Sequence, residues 1–416
     1  MNTTVRNEPL FRKSGSLKEE GEMDAEEIKP FFRPSGPSPS LPASYSSAPF
    51  SPFSIRPQQQ GRKHPPHSAW WKPTRRDAIV LLLGALVGWI LLKLIFSSMS
   101  FLRSQRQQQQ TPEQLVPERH GLNFLVVGDW GRRGLYNQSQ VAIQMGRIGW
   151  QLGIEFVIST GDNFYDTGLN GTDDPKFAAS FTNVFTAPSL QTKWYAVLGN
   201  HDYMGNVLSQ MSSELVKRDL RWHCRREFEV HHSPCSKNEL CKGSVDLFFI
   251  DTTPFVDEYW DSNSKHVFDW RGLAPRENQL KSQLQGLAEK LDKSNAIWKI
   301  VIGHHTVRSV GHHGDTPELV NQLLPVLEKY RVDVYINGHD HNLQHIKRSN
   351  SSVHFFTSGG GSKAFKGLQD YGVEAGVKFV FDGQGFLAVS IVPDFILFRF
   401  YDVFGEVMYS YQLHKW

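Results

Sequence analysis

The chain has 416 residues, a formal net charge of +3 and 39% hydrophobic residues. That length holds one large domain or two ordinary ones, and a near-balanced charge without a basic, aromatic-laced stripe argues against nucleic-acid binding. Three cysteines, Cys224, Cys235 and Cys241, are too few for a disulfide scaffold or a zinc ribbon.

Residues 1–76 differ from the rest. Ten of the 22 prolines fall between Pro30 and Pro66, mixed with serine and the run Gln58 to Gln60. Such a segment cannot bury enough apolar surface to offset chain entropy, so a disordered tail is predicted. Lys18 to Glu27 reads as a solvated charge run. Pro34 and Pro37 form only a generic PxxP pair, and the tail reads as inert.

Ala78 to Phe96, AIVLLLGALVGWILLKLIF, is apolar over 19 residues. As a helix it would span roughly 28 Å, close to the ~30 Å hydrocarbon core. Lys93, the single charge, lies near one end, where it can snorkel. A transmembrane signal anchor is therefore predicted over 77–98. Arg62, Lys63, Lys72, Arg75 and Arg76 precede the span and only Arg103 and Arg106 follow closely. The positive-inside rule then gives a single-pass type II membrane protein of the secretory pathway, with its C-terminal part lumenal or extracellular. Residues 99–120 read as a polar stalk. Asn137, Asn170 and Asn350 match the glycosylation acceptor pattern. Cys235 and Cys241 share a polar loop, where an oxidising lumen would let them pair; Cys224 reads as a buried thiol.

From 121 to 416 strand and helix signals alternate. Apolar runs recur at Phe124–Val127, Phe156–Ser159, Trp194–Leu198, Val245–Ile250, Lys299–Ile302 and Val332–Ile336, then at Val353–Thr357, Phe386–Ile391 and Ile396–Tyr401. Leu280, Leu284, Leu287 and Leu291 mark one helical face; Leu319, Leu323, Leu324 and Leu327 mark another. An α/β domain built around two packed sheets is predicted, ending in strand-rich sequence.

Five of the runs end in polar clusters: Gly128-Asp129-Trp130-Gly131, Gly161-Asp162-Asn163-Phe164-Tyr165, Gly199-Asn200-His201-Asp202, Gly303-His304-His305 and Gly338-His339-Asp340-His341. Groups at the C-terminal ends of neighbouring strands converge on one edge of a sheet. The leading glycines allow a tight turn and close backbone approach. Carboxylate, phenol, amide and imidazole donors gathered there suit iron, zinc or manganese. Their number exceeds what one ion with open positions needs and suits two ions that share a carboxylate.

The ordered set resembles the metallophosphoesterase fold, a double β-sheet sandwich flanked by helices. In detail it is similar to purple acid phosphatases of the small single-domain, tartrate-resistant and plant type. General metallophosphoesterases open with Asp-x-His, whereas Asp129-Trp130-Gly131 has glycine there, and they lack a tyrosine where Tyr165 stands. The resemblance extends to Asp251-Thr-Thr-Pro-Phe, Ser358-Gly-Gly-Gly-Ser and Asp382-Gly-Gln-Gly-Phe. It implies that Asp129, Asp162, Tyr165 and His341 hold Fe(III). It also implies that Asp162, as a bridge, with Asn200, His304 and His339 holds a divalent iron, zinc or manganese ion. His201 and His313 match the two histidines that contact the substrate phosphate, His313 being preferred over His312 because Gly314 follows it. His305 and His312 read as packing or loop residues. The loop from His231 to Gly243 departs from the family as an insertion.

The activity so implied is acid hydrolysis of phosphate monoesters by a hydroxide held at the Fe(III)–M(II) pair. The phenolate would give the iron its colour, and the two histidines would act as acids on the phosphate and leaving alkoxide. Phosphodiester or pyrophosphate substrates, and a tether that only binds, are the competing expectations. The oligomeric state stays open.

Overall fold

In the computed structural model of the protein the described residues are Trp89, Lys93, 121–233, 243–273, 275–392 and 394–415. The predicted tail, stalk and Cys235–Cys241 pairing lie outside them, as does the predicted span apart from Trp89 and Lys93. Among the described residues no helix is long and apolar enough to cross a membrane.

Fourteen strands, numbered in chain order, form two seven-stranded sheets among these residues. The first holds β1 (Leu122–Val127), β2 (Phe156–Ser159), β3 (Lys193–Ala196), β4 (Trp222–Cys224), β12 (Gly385–Ile391), β13 (Phe395–Asp402) and β14 (Val407–His414). The second holds β5 (Phe228–His232), β6 (Val245–Phe249), β7 (Trp298–Ile302), β8 (Val334–Asn337), β9 (Leu343–Ile346), β10 (His354–Ser358) and β11 (Val377–Phe381). Their orders are β14-β13-β12-β1-β2-β3-β4 and β11-β9-β10-β8-β7-β6-β5. The strands β1 to β4 run parallel, with Phe124 opposite Phe156, and β6, β7, β8 and β10 run parallel in the other sheet, with Ile300 opposite Val334. Antiparallel strands complete both sheets.

Side chains alternate faces along a strand, and here both faces are apolar. Phe124 and Val126 point into a core shared with Ile158, Leu247, Ile300, Val334 and Phe398, so residues of both sheets fill it. Leu125 and Val127 point the other way, into a cluster with helix α1 (Gln138–Leu152) through Val141, Met145 and Ile148. On the second sheet, Val301 and Tyr335 meet helix α2 (Arg276–Lys293) through Leu280, Leu287 and Leu291. The layers are helix, sheet, sheet, helix. All four of Leu319, Leu323, Leu324 and Leu327 are buried, but the helix is broken in two: Leu319 lies on α3 (Pro317–Gln322), Leu324 and Leu327 on α4 (Leu324–Lys329), and Leu323 between them. Pro325 explains the break, since it cannot donate a backbone hydrogen bond.

One aromatic cluster bears on the site. Trp130 is fully buried, donates from Nε1 to Ser159 Oγ at 2.8 Å, and packs edge-on against Phe164 at 5.5 Å and Phe185 at 5.3 Å. It ties the residue after Asp129 to the end of β2.

Candidate metal centre

The five clusters meet, though at a seam between sheets and not on one sheet edge. Asp129, Asp162 and the single helical turn Asn200–Tyr203 follow β1, β2 and β3 of the first sheet. His304 follows β7, and His339 and His341 follow β8, in the second. Cross-links close the seam: Gly128 N–H donates to Ser358 O at 2.8 Å, and His339 N–H donates to Asp129 Oδ2 at 3.1 Å.

Tyr165 stands at the centre of one group. Its hydroxyl lies 2.9 Å from Asp162 Oδ2, 3.2 Å from Asp129 Oδ1 and 2.9 Å from His341 Nε2. Donor atoms of Asp129, Asp162 and His341 all lie within 4.8 Å of one another. In the second group, His304 Nε2 is 3.1 Å from Asn200 Oδ1 and 3.5 Å from Asp162 Oδ1, and the His304 and His339 rings are 5.1 Å apart. Asp162 therefore faces both groups, one oxygen to each. His304 Nδ1 sits 2.8 Å from Thr160 O, which leaves Nε2 aimed into the site.

His305 also falls within the compass of His304 and His339. Both its ring nitrogens are already engaged, Nδ1 with Thr252 Oγ1 at 2.9 Å and Nε2 with Tyr259 Oη at 3.1 Å. Its place is in the packing behind the site. His201 lies beside Tyr165, ring centroids 4.5 Å apart, and His313 stacks on His339 at 4.2 Å. His201 is half-buried beside Tyr165, and His313, beside His339, is exposed, as is the neighbouring His312.

The donor set fits cations. Burial pushes the Asp129 carboxyl well above the usual carboxylate range, and the Asp162 charge adds to it. Burial works against ionisation of Asp162 too, but His304 and His201 bring it down to about 2. Burial, then Asp162 and Asp129, push the Tyr165 phenol up. Burial drives His304, His339 and His341 down, which leaves neutral imidazoles with free lone pairs. Such crowding of acids is costly alone, and a bound cation reverses its sign. His341 turns Nε2 to this group, 2.9 Å from the Tyr165 hydroxyl and 3.5 Å from Asp129 Oδ1. The space is kept open by glycine: a Cβ on Gly199 would lie 2.2 Å from Asp162 Oδ1, and one on Gly338 2.5 Å from Asp129 Oδ2.

Strain collects in the same place. Asp129, Asp162 and His339 adopt left-handed φ values of 60°, 50° and 67°. The leading glycines were expected to take the awkward turns, yet of these only Gly161 does, at φ 95°. The candidate ligands themselves are strained, at about 1–3 kcal/mol each.

Two braces escaped the sequence reading, although both sit inside the motifs. Asp202 accepts from Asn163 N at 3.0 Å, Phe164 N at 3.2 Å, Gly199 N at 2.9 Å and Gln210 Nε2 at 2.8 Å, so it locks the Asp162 loop to the Asn200 loop. Burial and the Asp162 charge push its carboxyl up to about 7, against those bonds. Asp340 lies between His339 and His341 and points away from them. It accepts from His313 N at 2.8 Å and bonds Ser309 Oγ, so it carries the His313 loop. Their signal is alternation: a carboxylate between two site residues faces the other way. Elsewhere, Asn137, Asn170 and Asn350 are exposed and Cys224 is a buried free thiol.

Residues 122–343 match the calcineurin-like phosphoesterase family. Purple acid phosphatase 3 of Arabidopsis thaliana is 54% identical over 296 residues, 71% of this chain and 77% of its own. Tartrate-resistant acid phosphatase type 5 of Homo sapiens is 34% identical over 252 residues, 58% of this chain and 73% of its own. Among solved structures, GAP50, the anchor in the inner membrane complex of Plasmodium, shares the fold with a TM-score of 0.59 at 24% identity, over 70% of this chain and 88% of that one. The chain belongs to the purple acid phosphatase family of calcineurin-like phosphoesterases, and it is an acid phosphatase with a binuclear metal centre.

Proposed function

We propose that the protein hydrolyses phosphate monoesters under acidic conditions, with Asp129, Asp162, Tyr165 and His341 holding Fe(III) and Asp162, Asn200, His304 and His339 holding a divalent iron, zinc or manganese ion. When bound, the two cations would neutralise the phosphate dianion and activate the water that attacks it. The chain's own residues then do the rest. Asp162 spaces the two groups. The Tyr165 phenol oxygen would supply the charge that favours a ferric over a ferrous ion. His201 is aimed by its backbone N–H, which donates to Asp162 Oδ1 at 2.9 Å, and by its Nδ1, 2.5 Å from Asp166 O. That leaves Nε2 for the substrate. His313, stacked on His339, would meet the same phosphate or the leaving oxygen.

The observation that carries this reading is the Tyr165 hydroxyl, within 3.2 Å of both Asp129 and Asp162 and 2.9 Å from His341. Its test is optical. The purified protein should absorb in the visible, and Tyr165→Phe should lose that band at unchanged iron content. A colourless wild type with full iron occupancy would remove the phenolate from the site.

We further infer, from the sequence of Ala78 to Phe96 and its basic flank, that the chain is anchored as a type II membrane protein of the secretory pathway. Asn137, Asn170 and Asn350 would then be open to glycosylation, and Cys235 with Cys241 to pairing. Protease added to sealed microsomes should spare residues 121–416. Digestion of that part from the cytosolic side would reverse the topology.

A further inference from the structure

Beside the candidate iron group, side chains from four loops close into a ring. Arg132 Cζ lies 3.7 Å from the Tyr165 ring centroid and 5.6 Å from that of Tyr136. Lys363 Nζ lies 5.8 Å from the Tyr136 ring and 5.7 Å from the Phe365 ring. Phe365 stacks face to face on His341 at 4.2 Å, and His341 returns to the Tyr165 hydroxyl. The ring thus begins and ends on two residues of the metal centre.

Its charge is unbalanced. Arg132 pairs with Asp166 at 2.8 Å, but that carboxylate is 80% exposed, so water screens it. Lys363 is exposed and has no carboxylate partner among the described residues; its ammonium rests between two aromatic faces. Tyr136 is itself 54% exposed. An ammonium held against rings is positioned, yet its outward hydrogens remain free to donate. The guanidinium is anchored on its inner side and partly buried.

We propose that this rim is a second anion subsite, and that it selects phosphate monoesters whose leaving group carries a further phosphate or comparable anionic group. The scissile phosphate would sit at the metal centre, and the second anion would lie over Lys363 and Arg132, against the Tyr136 face. Lys363 is then a specificity residue that contributes to binding and leaves the chemical step alone. The proposal rests on the function proposed above, because it needs the scissile phosphate placed at that centre.

The test uses the full-length metal-loaded protein, Lys363→Glu and Lys363→Gln, and a matched pair of substrates: glucose 1-phosphate and glucose 1,6-bisphosphate. Wild type should favour the bisphosphate in kcat/KM, and added salt should erode the preference. Lys363→Glu should cut that preference about fivefold or more through KM, with Lys363→Gln in between, the range expected for a screened charge reversal. Turnover of glucose 1-phosphate should stay within twofold in both variants. An unchanged preference in Lys363→Glu, or an equal fall on both substrates, would overturn the subsite. Failure of wild type to hydrolyse either ester would instead count against the phosphatase reading.

Discussion

Asp162→Ala is expected to lower kcat/KM on a phosphate monoester by about 10³-fold or more, a loss of several kcal/mol of stabilisation where each 1.4 kcal/mol is tenfold. Asp162 faces both donor groups: one oxygen lies 2.9 Å from the Tyr165 hydroxyl, the other 3.5 Å from His304 Nε2. That other oxygen also accepts from the His201 backbone at 2.9 Å. Alanine would remove the proposed shared ligand and release the loop that aims His201. The substitution should not unfold the protein, but it should weaken the metal-free chain. Loss of Asp162 relieves repulsion on Asp129, yet the fold favours the ionised Asp162 carboxyl, held at about 2, and the Tyr165 hydroxyl and His201 backbone N–H both donate to it. At neutral pH alanine forfeits that stability, so the metal-free variant should melt below metal-free wild type. A variant that retains activity within tenfold would show that the two groups do not share this carboxylate.

Metal removal is the second large effect. Chelation should abolish activity and lower the melting temperature of wild type by on the order of 5–10 °C, as expected when a ligand present at ~1,000 times its Kd is withdrawn. The cause is specific: two buried carboxylates converge with a buried phenol oxygen, and burial pushes the Asp129 carboxyl and the Tyr165 phenol up. Three residues held at left-handed φ add strain that the filled site offsets. The same chelation should shift Asp162→Ala far less, because that chain has already lost the carboxylate proposed to be shared by the two ions. Equal shifts in both would place the stabilising interaction elsewhere.

Much of this was legible in the chain itself. Alternation of polar clusters with β-branched runs placed Asp129, Asp162, Asn200, His304 and His339 at strand ends, because a short continuous apolar run with a glycine exit leaves a recognisable trace. The two-sheet core followed from the same runs. What was hidden is three-dimensional. Nothing local says that β1 to β3 and β7 to β8 belong to different sheets, so the seam between them was read as one edge. The strain on Asp129, Asp162 and His339 depends on hydrogen bonds across that seam, such as His339 N–H to Asp129. Asp202 and Asp340 read as companions of the ligands, and only their partners reveal them as braces. His305 differs from His304 only by what stands opposite its nitrogens.

The claim beneath all of this is that two adjoining donor groups, joined through one carboxylate, each take an ion. Elemental analysis of folded, active, full-length protein measures that directly. About two transition-metal atoms per chain are expected, falling together on chelation with the loss of activity. Full activity in a preparation that contains none would contradict it.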